Sequence, residues 1–110
     1  MSTNYKLGTN KGRRRFWLCG SVLERIGMHC SVPYRRVDNP EGKQISLVRI
    51  SEEDFTKGDR RVTNGLKNGK ARPIIDLCDK SIGKIFGDVD RVQVELSDGF
   101  IVISAHHEDK

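Results

Sequence analysis

No C-x-x-C pair occurs in this chain, and Cys19, Cys30 and Cys78 are odd in number, so neither a disulfide framework nor a zinc ribbon is indicated. They read as reduced thiols, with Cys19 and Cys78 expected as small core residues beside leucines. No apolar run approaches the roughly 20 residues of a membrane span. Met1 to Gly12 is polar and lacks the apolar centre of a signal peptide, which predicts a cytoplasmic protein with no membrane partner. Aromatics are 6 % and hydrophobic residues 35 % of the 110 residues. That supply suits one domain, built as a compact polar-surfaced barrel or completed against a partner, rather than a large helical protein.

Catalytic signatures are missing as well. There is no H-E-x-x-H, no G-x-S-x-G, and no phosphate-cradling glycine loop leading into a helix. His29 and Cys30 are adjacent, and adjacent side chains on an extended or turn backbone point apart, so they do not make the hydrogen-bonded pair a nucleophile needs. His106-His107 with Glu108 supply no fixed ligand geometry. The expectation is a non-enzymatic protein without cofactor or metal.

The most informative absence is of acids. The first 23 residues hold Lys6, Lys11, Arg13, Arg14 and Arg15 and no carboxylate. Residues 57 to 75 add Lys57, Arg60, Arg61, Lys67, Lys70 and Arg72 against Asp59 alone. From Asp76 onward the sign reverses, with eight acids against Lys80, Lys84, Arg91 and Lys110. Within a formal charge of +5, two basic segments on a mixed body suggest a polyanion-binding face.

What is present is a duplication. Phe16-Trp17-Leu18-Cys19 through Ile26-Gly27 and Ile75-Asp76-Leu77-Cys78 through Ile85-Phe86-Gly87 share one plan. Each is a short apolar strand, a brief helix carrying Leu23 and Ile26 or Ile82 and Ile85, a glycine stop, and an alternating apolar stretch. Two such half-units close one core only by packing together. Ser21 and Glu24 have capping-box spacing for a helix over Val22 to Ile26, and Asp79 or Ser81 can cap the second helix, which Gly87 ends. Val32, Tyr34 and Ile45, Leu47 flank the turn residues Asn39-Pro40-Glu41-Gly42. Val92, Val94 and Leu96 lead through Asp98-Gly99, the strongest hairpin signal in the chain, to Phe100–Ile103.

The resulting division is a disordered basic arm over residues 1–12, a single domain over 13–104 and a frayed tail over 105–110. Within the domain, 13–50 is the first half-unit, 51–70 a basic insertion and 71–104 the second half-unit. The insertion, with its turn dipeptides Asn64-Gly65 and Asn68-Gly69, reads either as a projecting basic β-hairpin, with Val62 on one arm and Ala71 on the other, or as a mobile linker. A two-stranded ribbon fits the DNA major groove.

Residues Ala71 to Asp76, Ser81 to Gly87, Asp90 to Val94 and Asp98 to Ile103 together resemble the swapped-hairpin module of the AbrB/MazE/SpoVT transcription factors. Arg15 to Leu18 with Leu23 to Met28 is closer to the SymE-like branch. Residues 13 to 104 also resemble a small bacterial and phage module sometimes found ahead of DNA cytosine methyltransferases, in which Gly58-Asp59-Arg60-Arg61-Val62 and Pro73-Ile74-Ile75-Asp76 recur. The resemblance implies a mainly β fold with short helices, a pseudo-two-fold interlocked β-barrel of two strand–helix–hairpin repeats, closed within a monomer or by exchange in a homodimer. It also implies DNA binding through basic residues at the starts of the first strands. Arg13, Arg14, Arg15, Lys70 and Arg72 match those places, and Arg60, Arg61 and Lys67 join them as expected phosphate contacts.

Two functions follow. One is a DNA-binding regulator. The other is a phage or mobile-element anti-defence protein that inhibits a restriction or CRISPR effector by binding the host nuclease or nucleoprotein complex, with Asp88, Asp90, Glu95 and Asp98 mimicking phosphates on the acidic side.

Overall fold

The structure is a computed structural model that describes residues 2–10, 12–87 and 89–105. It is mainly β with two short helices, and its elements run in two identical orders. The first is β1 (Ser2–Lys6), β2 (Gly8–Asn10), β3 (Arg13–Cys19), α1 (Ser21–Arg25), β4 (Pro33–Asn39) and β5 (Gln44–Arg49). The second is β6 (Arg60–Arg61), β7 (Thr63–Lys67), β8 (Lys70–Leu77), α2 (Lys80–Phe86), β9 (Arg91–Ser97) and β10 (Phe100–Ala105). The duplication is therefore longer than the sequence indicates.

The arm expected to be disordered instead forms β1 and β2 over its described residues. The segment expected as a foreign insertion supplies β6 and β7, which stand to β8 as β1 and β2 stand to β3. Of its two alternatives a hairpin forms: β7 pairs with β8 from Thr63↔Ile74 to Lys67↔Lys70, turning at Asn68 (φ 55°) and Gly69 (φ 78°). Positive φ at both positions matches the right-handed twist of the flanking strands, which an Asn-Gly turn supplies at little steric cost. Val62 is not on this hairpin but 2 % exposed in the core. The tail from residue 106, with His106-His107-Glu108, lies outside the described residues, whereas Ala105 is paired with Val92.

One sheet has six strands in the order β1-β9-β10-β5-β4-β6 and the other four in the order β2-β3-β8-β7. Both are open, where a closed barrel was expected. Each chain segment changes sheet through one buried residue. Leu7, between β1 and β2, donates its amide to the Asp90 carbonyl at 2.8 Å, and Val62, between β6 and β7, donates to Val32 at 2.9 Å. The halves are locked reciprocally: β1 edges β9, β6 edges β4, β3 pairs β8 and β5 pairs β10.

Period-2 alternation puts Ile45, Leu47, Val92, Val94, Ile101 and Ile103 on the inner face of the larger sheet and Phe16, Leu18, Ile75 and Leu77 on that of the smaller. All join one core with Leu23, Met28, Ile82, Ile85 and Phe86. Cys19 and Cys78 are half-buried rather than core. The capping box at Ser21 and Glu24 does not form: Gly20 (φ 80°) precedes α1 with no side-chain cap. Asp79 does cap α2, its side chain accepting from the Ile82 amide at 3.3 Å.

Candidate nucleic-acid interface

The residues between the inward-facing ones point out of the four-stranded sheet. On β3 these are Arg13, Arg15 and Trp17, and on β8 they are Lys70, Arg72, Ile74 and Asp76, set by alternation against buried Phe16, Leu18, Ile75 and Leu77. Because β3 and β8 are antiparallel neighbours, their basic starts lie at opposite ends of the sheet. Each start pairs with the strand before it and has a glycine opposite an arginine, Gly8↔Arg15 and Gly65↔Arg72. At Gly65 a Cβ would collide with the Ile74 side chain, so glycine there makes room for Ile74.

At the centre of this face Arg15 donates from Nε and Nη2 to the two oxygens of Asp76, both at 2.9 Å. Its guanidinium also lies 4.4 Å from the ring centroid of Trp17. Trp17 is 42 % exposed. The fork to Asp76 matches the charge of the guanidinium and holds it over the half-exposed indole. Arg72 lies against Gly20, where a Cβ would come within 3.1 Å of its Nε.

Of the eight expected contacts, the structure brings Arg13, Arg15, Lys70 and Arg72 onto this outer face. Lys67 joins them by backbone register, opposite Lys70. Arg14 is turned through the sheet: its Nη2 donates to the Val89 carbonyl, and its Nε is buried without a partner. Arg60 and Arg61 belong to the other sheet and are already engaged. Arg61 donates to both oxygens of Glu52 at 2.7 and 2.8 Å and lies 4.4 Å from the Phe55 ring centroid. Arg60 is 3.9 Å from Asp79.

The same division runs through the other arginines. Arg35 pairs with Asp59 at 2.9 Å, Arg36 with Asp38 at 2.7 Å and Asp79 at 2.6 Å, and Arg49 with Asp98 at 3.4 Å. Arg36 holds the Asp79 carboxyl below the usual carboxylate range. Arg35, with the Thr56 amide, depresses Asp59 much further. Among the described residues, Arg13, Lys70 and Arg72 have no carboxylate within ion-pair distance. Arg14, turned inward, shares that state, as do Lys80 and Lys84 on α2, while Arg25, Arg91, Lys6, Lys43 and Lys57 share it but stand apart from this face.

Two residues belonging with Arg13 escaped the sequence reading. Lys80 and Lys84 are one helical turn apart on α2 and meet Arg13 and Arg14 across a recess. The signal was their i,i+4 spacing, which puts them on one side of any helix. Comparison of the chain with family models, with curated proteins and with solved structures finds no match. Among the described residues no helix is long and apolar enough to cross a membrane.

Proposed function

We propose that this protein is a small, non-enzymatic, cytoplasmic DNA-binding regulator, a tandem of swapped-hairpin units related to the AbrB-like and SymE-like proteins. Its pseudo-two-fold halves interlock within one chain. DNA lies along the outer face of the four-stranded sheet. Arg13, Lys67, Lys70 and Arg72 contact phosphates, and the Arg15–Trp17 platform contacts sugar or base edges. The observation that carries the reading is the distribution of spare charge: arginines elsewhere are largely matched by carboxylates, while Arg13, Lys70 and Arg72 at the starts of β3 and β8 are not, and Arg15 between them is matched by Asp76. Phosphate contacts of this kind position a duplex without reading its sequence.

The experiment is duplex binding at several salt concentrations. With roughly five phosphates engaged, log K falls against log salt with a slope of about −4 to −5. A slope near zero would overturn the reading.

The second reading, an anti-defence protein bound to a host nuclease, has one observation in its favour. The outer face of the six-stranded sheet carries Val37 at 52 % and Phe100 at 37 % exposure, with half-buried Val48 directly opposite Phe100. Co-purification that survives nuclease treatment supports this reading, and loss of the bound material on digestion supports DNA.

A further inference from the structure

The duplication makes two recesses, one at each end of the four-stranded sheet, where the start of one half's first strand meets the start of the other half's helix. One, about 370 Å3, lies between Lys70–Arg72 and Gly20, Ser21 and Glu24. Its counterpart, about 340 Å3, lies between Gly12–Arg14 and Asp79, Lys80, Gly83 and Lys84. Aligning Leu23 with Ile82 puts Ser21 at the place of Lys80, Glu24 at that of Gly83 and Arg25 at that of Lys84.

The two are electrostatically unlike. The first sets two cations against Glu24. The second gathers Arg13, Arg14, Lys80 and Lys84 around one carboxylate, Asp79, which is already committed to Arg36 at 2.6 Å and Arg60 at 3.9 Å. Gly83 sits inside α2, where a residue with a side chain would form helix more readily. A Cβ there would meet only the Arg14 Cγ, at 3.7 Å, so space alone does not require glycine. Its effect is to leave the recess floor open above the Arg14 stem. α2 is seven residues long and Asp79 caps it, so the side chains rather than the helix end supply the charge.

The geometry points to the recess between the β2–β3 turn and α2 as a phosphate seat, holding one phosphate monoester or diester among Arg13, Lys80 and Lys84, and to its counterpart as unable to serve. On the DNA-binding reading, on which this rests for the diester, the duplicated fold grips the backbone at one preferred end. The complex then has a polarity that the symmetric order of elements conceals.

The test uses the full chain, isotopically labelled, titrated separately with pyrophosphate and with a short duplex. Pyrophosphate is expected to shift the amides of Gly12, Gly83 and Lys84 and to leave Gly20, Ser21 and Glu24 unmoved, whereas the duplex, which also meets Lys70 and Arg72, is expected to shift Gly12, Gly83 and Lys84 more than Gly20, Ser21 and Glu24. The Lys80→Ala/Lys84→Ala variant, altered only at exposed positions, should bind duplex roughly tenfold more weakly, with a salt slope shallower by about 2. Gly83→Glu, which copies the acid of the other recess into a helical position with room for it, should abolish the pyrophosphate shifts while circular dichroism stays unchanged. Shifts absent, or equal in the two recesses, overturn the seat. Duplex binding by the wild type that the double variant keeps in full overturns it and leaves the DNA reading standing. Pyrophosphate shifts at Gly83 and Lys84 without any duplex binding uphold the seat for free phosphate groups and overturn the DNA reading.

Discussion

Arg14 and Arg15 are neighbours in the chain and part company in the structure. Arg15 leaves the four-stranded sheet outward, onto Trp17 at 4.4 Å and Asp76 at 2.9 Å. Arg14 leaves it inward, its Cγ 3.7 Å from where a side chain on Gly83 would begin. Replacing each arginine of the Arg13-Arg14-Arg15 run should therefore give different results. Arg13→Ala should change stability by less than about 0.5 kcal/mol and weaken DNA binding on every sequence alike. Arg14→Ala removes a packed stem and a donor to Val89, and should cost about 1–2 kcal/mol in urea unfolding.

Trp17 is the only tryptophan of the chain and stands on the proposed interface. Adding duplex should change its fluorescence in step with binding, and Arg15→Ala should alter the emission of the free protein by removing the stacked guanidinium. Unchanged emission at saturating DNA would move the contact off this face.

The reciprocal strand exchange predicts that neither half folds alone. Residues 2–50 lack the β9 edge that β1 requires and the β8 partner of β3. Expressed singly, each half should give the circular dichroism of an unfolded chain, and mixing the two should restore β signal with 1:1 stoichiometry. A folded, monomeric half would refute the interlocking.

At the junction of the halves Leu47 stands opposite Ile101, both fully buried. Leu47→Ala and Ile101→Ala should each cost about 2–5 kcal/mol. Because the residues are in contact, the double variant should lose measurably less than the sum.

Acid should weaken the fold through its ion pairs. Arg36 depresses Asp79, Arg35 depresses Asp59 and Arg61 depresses Glu52. A carboxylate with a depressed folded-state value takes up its proton in the unfolded chain first. Its contribution is therefore complete above the ordinary range near pH 4 and is lost as pH falls from there towards the folded-state value. Urea midpoints should be level between about pH 6 and 7 and fall steadily below about pH 5. Asp79→Asn leaves Arg36, 11 % exposed in its side chain, short of a partner. It should cost roughly 1.5–3 kcal/mol at pH 7 and make the acid decline shallower.

Where side chains alternate strongly, the sequence was legible. Val92, Val94 and Leu96 with Asp98-Gly99 gave β9 and β10 because apolar period and turn chemistry agree locally. Leu23 and Ile26, with Ile82 and Ile85, likewise gave the helices. The strand Ser2–Lys6 was illegible because its sequence, STNYK, carries almost no apolar signal. What makes it a strand is the exposed edge of β9, ninety residues away in the chain. The surroundings of Arg60-Arg61 were illegible for a related reason: the run is basic like Arg13-Arg14-Arg15, and nothing local says that Glu52 and Asp79 come to meet it.

Composition and pattern alone therefore determined a mainly β chain with two short helices, a duplicated strand–helix–hairpin plan and the basic segments available to it, since these depend on residue type and spacing. Which cations stay unmatched, which face Trp17 occupies, and how each half borrows an edge strand from the other were decided only by the tertiary structure. Each depends on which residues distant in sequence come within a few ångströms, the range over which charge is neutralised and backbone hydrogen bonds are made.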